Sequence, residues 1–167
     1  MKRIIFTLSI LLAGLTLSAQ TIRTYNLYNK YRGEKGVISI YVPGCVARLA
    51  AGIGDLKPEE AQLLRCIRSV RVLTIDDNER FPGVNFVKEA RIHPGDAGFE
   101  SLVEVHEDGE DVMIMGKIKG DKLKDLLVIV GGEDNVLVHI RGRLNADMIG
   151  SLSNIAGLQD MDFTSQL

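Results

Sequence analysis

The sequence predicts an α+β fold, a mostly antiparallel sheet with helices packed on it. Two observations predict it. Over residues 24–91, apolar residues recur at helical spacing, with two strand-like runs between them. From Phe99 to Leu144 the pattern changes to four strand-like runs separated by glycine-bearing turns, a β-meander that a last helical stripe follows.

The first element is a leader. Lys2 and Arg3 precede an uncharged, mainly apolar run from Ile4 to Leu17, and Ser18 and Ala19 supply small residues before Gln20. That order reads as a secretory signal peptide cut between Ala19 and Gln20. The run reaches about 21 Å as a helix, short of the roughly 30 Å hydrocarbon core. No cysteine stands near the cut, so a lipid-anchored mature N-terminus is not expected. No later run is long enough to span a bilayer; the purest, Leu126–Val130, is strand-sized. The expected address is outside the cytoplasm, in a periplasm first and an extracellular space second.

Removing 19 of 167 residues leaves 148, enough for one domain with a real core. Residues 20–35 read as an N-terminal segment carrying a short helix at 24–31, with Leu27, Tyr28 and Tyr31 on one side. Residues 36–158 form the single α+β domain, and 159–167 a loose tail. Val37–Val42, rich in β-branched residues, is a strand that Pro43-Gly44 breaks. Val46, Leu49 and Ile53 mark a helix over 44–52. Pro58 suits the first turn of the next helix, and Glu59 and Glu60 offset the positive end of its dipole. Its buried stripe is expected at Ala61, Leu64 and Ile67. Val70–Ile75 is a second strand, and Phe81–Arg91 a third helix whose start Pro82 and Gly83 interrupt.

The meander follows. Strands at 99–105, 112–119, 122–130 and 136–144 are separated by Asp108-Gly109, Gly120-Asp121 and Gly131–Asn135. Both faces of Leu126–Val130 are apolar, so that strand belongs in the middle of the sheet. Met148, Ile149, Leu152 and Ile155 then form the stripe of a helix over 146–156.

Charge narrows the function classes. Loss of Lys2 and Arg3 with the leader takes the net charge from −2 to −4. A mildly acidic domain without a basic stripe is a poor nucleic-acid binder. With no tryptophan and few aromatics, platforms for sugars or bases are not expected.

No catalytic, cofactor or metal constellation stands out. His93, His106 and His139 form no i, i+4 pair, and each reads as solvated or hydrogen-bonded. The acidic turns at 76–79, 108–111 and 133–134 do not match a calcium loop. Gly95–Gly98 and Gly131-Gly132 lack the spacing and lysine of a phosphate loop. Ser151 falls in a helix, not at a nucleophile elbow. Cys45 and Cys66 admit two readings: a disulfide closing a loop of about twenty residues, worth roughly 3 kcal/mol, or two separate thiols on different helices. Arg141 and Arg143 share a strand face, and with Lys117 and Lys119 on a neighbouring strand they form a candidate interaction patch for an acidic segment. Met113 and Met115 read as core filler.

Several stretches resemble a known family: Gly36-Val-Ile-Ser-Ile, Ser69-Val-Arg-Val-Leu, Phe86-Val-Lys-Glu-Ala, Phe99-Glu-Ser-Leu-Val-Glu-Val, Leu127-Val-Ile-Val-Gly-Gly-Glu-Asp and Val138-His-Ile-Arg-Gly-Arg-Leu. They are similar to an exported Bacteroidetes family catalogued as domain of unknown function 4252, over roughly residues 24–158. The resemblance implies a small exported α+β domain without an assigned activity and supplies no catalytic residues. Such genes often lie beside extracytoplasmic sigma-factor genes, which implies envelope stress or regulation. Many relatives carry a lipid-anchor cysteine at the cut, which this chain lacks.

The sequence therefore favours a non-enzymatic envelope domain, stress-related in the family's sense. Its partner would be an envelope protein or peptide. The competing expectation is a small ligand-binding protein or hydrolase whose site assembles only in three dimensions.

Overall fold

The computed structural model describes residues 19–75, 78–107 and 109–145. The expected leader before Ala19, the helix at 146–156 and the tail at 159–167 lie outside the described residues.

The elements are α1 (Ala19–Tyr31), β1 (Val37–Pro43), α2 (Gly44–Ile53), α3 (Pro58–Cys66), β2 (Ile67–Ile75), α4 (Phe86–Ala90), β3 (Glu100–Glu107), β4 (Glu110–Lys119), β5 (Lys122–Gly131) and β6 (Asn135–Leu144). The strands form one antiparallel sheet in the order β1-β2-β6-β5-β4-β3. The α+β class holds. The four meander strands hydrogen-bond in sequence, and β6 then pairs with β2 across the chain, Leu73 opposite Leu137.

Strand alternation sorts side chains onto two faces. The first face carries Leu73, Ile75, Met113, Met115, Leu127, Ile129 and Leu137, covered by Leu27, Tyr28 and Tyr31 of α1 and Phe86, Val87 and Ala90 of α4. Met113 and Met115 are core residues, as expected. The second face has a smaller cluster, with Ala47 of α2 and Leu63 of α3 over Ile67, Leu123, Leu126 and Leu144.

Close packing dictates two glycines. A Cβ on Gly44 would stand 2.6 Å from the carbonyl oxygen of Arg68, so α2 can start against the β2 backbone only with glycine there. A Cβ on Gly131 would overlap the Asn85 side chain.

Four expected elements differ. The third helix shrinks from 81–91 to Phe86–Ala90, because Gly83 takes a positive φ of 76° and Asn85 caps a later start. Arg91, at φ 48°, ends it. The strand expected at 70–75 begins at Ile67, directly after α3, so Ile67 packs from the sheet instead of a helical stripe. Leu63, not Ala61, is the buried residue of α3, at 1% exposure. α1 also covers the five described residues before Thr24, where the helix is expected to start.

Candidate functional site

The second face is the least finished part of the described molecule. Two rows cross all six strands on it. One runs Ile40, Val72, Val138, Val128, Ile114, Val103; the other runs Ile38, Thr74, Val136, Val130, Val112, Val105. Eleven of these twelve positions are apolar and none is charged. Ile38, Ile40 and Val105, at the two edges, are exposed. α2 lies on this face with Ala47 turned inward, yet its other side is apolar too. Val46, Leu49 and Ile53, at helical spacing, are 50%, 61% and 78% exposed. Exposed apolar stripes beside an apolar sheet face are unusual for a finished surface.

The four patch residues fall into two groups. Lys119 and Arg143 join Arg68, Lys122 and Lys124 at one end of the sheet, close enough to act on one another's charge. The Lys124 pKa falls below its ordinary value, through desolvation first and then through Arg143, Lys122, Lys119 and Arg68. Arg68 is also the residue whose carbonyl Gly44 abuts, so the cationic end meets the start of α2. Lys117 and Arg141 instead serve Asp125 on the first face. Asp125 Oδ1 accepts from Arg141 Nε and pairs with His139 Nε2, each at 3.1 Å. Burial raises the Asp125 pKa and is the largest single effect. The His139 hydrogen bond and the charges of His139, Arg141 and Lys117 together outweigh it and hold the carboxyl below its ordinary value. His139 is 5% exposed, so this is a buried cross-strand tie between β5 and β6.

A second tie sits at the far end of the first face. Asp111 accepts from Asn85 Nδ2 at 2.7 Å, pairs with Lys88 Nζ at 3.0 Å and bonds His106 Nδ1 at 2.6 Å. Its carboxyl is lowered to about 2, by the His106 bond first, then by Lys88 and Asn85. The His106 pKa is raised in return, by Asp111 first and Glu104 second. Asn85 Oδ1 also caps α4 through Lys88 N–H at 3.0 Å. Asn135 accepts from Phe86 N–H at 2.9 Å and donates to the Val84 and Gly132 carbonyls. At the level of sequence Asp111 falls only in an acidic turn and is not paired with His106. The signal was available, since a turn at 108–109 puts His106 opposite Asp111.

The rest offers little chemistry. His93 stays in its loop beside Asp96, 3.6 Å away. Cys45 is an exposed and Cys66 a half-buried thiol, both free here. A groove of about 830 Å³ between α1 and α4 is lined by Lys30, Lys88 and Glu89 among others. Those charges are engaged in holding the helices: Lys30 Nζ bonds Glu89 at 2.8 Å, Tyr31 OH donates to Glu89 at 2.8 Å, and Lys88 serves Asp111. The Lys30 pKa is raised, mainly by the Glu89 bond, and burial raises that of Tyr31. Among the described residues no group of three His, Cys, Asp or Glu is placed to hold a metal ion. No described helix is long and apolar enough to cross a membrane.

Comparison with known proteins adds one finding. The model of a family described as a domain of unknown function, DUF4252, matches residues 30–152. No curated protein and no solved structure matches significantly.

Proposed function

The chain belongs to the DUF4252 family, and on that premise we propose that its mature form is an exported envelope domain without catalysis of its own, which holds an acidic, amphipathic segment of another envelope protein. The observation that carries this reading is the exposed stripe Val46, Leu49 and Ile53, which starts where α2 abuts the cationic end at Arg68. Apolar surface favours a dry partner, and clustered cations favour acids. A segment apolar on one side and acidic toward one end satisfies both. Cys45, Ala50 and Gly52 are small, so a partner backbone can come close to the helix. Export rests on Lys2, Arg3, the apolar run and the Ser18-Ala19-Gln20 cut. A role in envelope stress would be exercised through the same contact.

The test places p-benzoylphenylalanine at Leu49 in living cells and maps what it captures on irradiation. The captured segment, made as a peptide, is then titrated against the purified protein. It should be amphipathic and acidic, weaken as salt rises, and lose at least about tenfold in affinity to Leu49→Asp but not to Glu59→Gln. Capture of nothing, under conditions that recover known envelope complexes, overturns the reading. So does a captured peptide indifferent to Leu49→Asp. N-terminal sequencing of native material should begin at Gln20; a cytosolic Met1 removes the export half.

A further inference from the structure

We propose that β1 pairs with β1 of a second copy of this chain, antiparallel about a two-fold axis at Ile40, and so joins two six-stranded sheets into one. The two edges of the sheet differ in what they set against such pairing. The register of β3 shifts between Ser101 and Val103, and Glu100, Glu104 and Glu107 place charge along that edge. Bulges and charges are the usual bars to edge-to-edge association. β1, at the other end of the strand order, carries neither. Its register against β2 runs unbroken from Val37 to Pro43, and none of its seven residues is charged. Pro43, which lacks an N–H, stands at the last position and closes off only the end of the strand. Ile38, Ile40 and Tyr41 are 48%, 47% and 52% exposed along this edge.

Three features of β1 single out a second copy as the occupant. The first is self-complementarity. An axis at Ile40 sets Ile40 opposite Ile40 and Ile38 opposite Val42 of the second copy, aliphatic against aliphatic on one face. On the other face Ser39 meets Tyr41 and Val37 meets Pro43. The second is charge. Like charges directly across a strand pair repel, and a two-fold axis brings a strand against itself. β1 has no charge to bring, whereas the same operation on β3 would turn its three glutamates toward three more. The third is continuity. The row of Ile40 runs straight into its own copy, and the row of Ile38 runs on into Val42, Val70 and Ile140 of the second copy, all aliphatic. The outward N–H and C=O groups of the two strands supply about six main-chain hydrogen bonds.

Pairing of β1 with β3 of the second copy is the rival arrangement. It would set glutamates beside the aliphatic edge and would repeat without closing, as a filament. The inference does not rest on the α2 stripe: Leu49 is no part of β1, and either proposal can fail alone.

The test uses the chain from Gln20 to Leu167. In analytical ultracentrifugation it should sediment as a dimer at about 100 µM, a concentration that reveals even a weak specific pair. Ile40→Lys sets two cations across the axis and should weaken self-association at least about tenfold, while Val105→Lys on the opposite edge should not. A monomer at that concentration overturns the proposal and leaves the edge to a strand of another protein. A dimer indifferent to Ile40→Lys overturns it too, as does assembly into filaments. Register is read separately, with Cys45→Ser and Cys66→Ser in place. Ile40→Cys should close a disulfide between copies under mild oxidation, since directly opposed Cα atoms lie about 5 Å apart. Ile38→Cys should not, because its own copy stands four residues along the strand, about 14 Å away. Links formed equally at both positions, or at neither, overturn the proposal.

Discussion

Replacing Asp111 by Asn should destabilise the fold by about 2 kcal/mol at neutral pH and by almost nothing near pH 2. The magnitude follows from geometry. Asp111 is 8% exposed and takes bonds from His106, Asn85 and Lys88 at 2.6, 2.7 and 3.0 Å. These donors hold its carboxyl at about 2, against an ordinary 3.8. Nearly two pK units correspond to about 2.5 kcal/mol, and solvent around the exposed ends of His106 and Lys88 trims this to about 2. The sign is that of a depressed acid. Its contribution is complete above the unfolded value of 3.8 and is lost as pH falls through about 2.

His106 works in the opposite sense. Its folded pKa is raised, so its contribution is complete below the ordinary 6.5 and fades as pH climbs through the raised value. The wild type should therefore show a second, alkaline-side loss that Asp111→Asn reduces to the part Glu104 supplies. Urea titrations at a series of pH values, extrapolated linearly to water, read both windows. Equal stability of the two proteins at neutral pH would refute the reasoning. A gap that persists undiminished at pH 2 would also refute it, since that loss would come from packing and not from the charge-assisted bonds.

Three further outcomes follow from the same geometry. Asn135→Ala removes one backbone donor's partner and two carbonyls' donor at a site 1% exposed, so chemical denaturation should show a loss of about 3 kcal/mol; a loss near zero would contradict the assigned bonds. Gly44→Ala drives a methyl to 2.6 Å from the Arg68 carbonyl oxygen and should cost about 1–3 kcal/mol, read as a lower melting temperature. His139→Gln removes the strongest influence lowering the Asp125 pKa while leaving its burial, so carboxyl-carbon NMR should find Asp125 titrating higher in the variant; an unmoved titration would place the two side chains apart.

How much of this was legible depends on whether its cause is local. The hairpins were legible because Gly109, Gly120 and Gly132 all take positive φ, which few other residues accept. Strand alternation was legible for the same local reason, and it put Met113 and Met115 in the core. The pairing of β6 with β2 was not, since no local signal links Leu73 to Leu137 sixty-four positions later. Helix α4 was overdrawn because Val84 and Phe86 kept an apolar pattern through Pro82-Gly83, where backbone geometry prevailed. The patch was half legible. Residue parity placed Arg141 and Arg143 on one face, but only the fold gives Arg141 a buried acid and Arg143 a cluster of other cations.

The two faces also differ in how they specify register. A strand slipped by one residue exchanges its faces. At the aliphatic positions of the second face such a slip in β5 or β6 only exchanges valines for Leu127, Ile129 and Leu137, a weak penalty beside that of the polar residues it misplaces. On the first face a slip of β6 against β5 would carry Asp125 and His139 out of each other's reach, and a slip of β4 against β3 would part Asp111 from His106. Register is therefore set by the polar ties at the two ends of the first face, each a bond whose loss leaves a desolvated charge. Relieved of that task, the second face can be uniformly β-branched along both of its six-strand rows, because the ties that hold the strands in register lie on the opposite side.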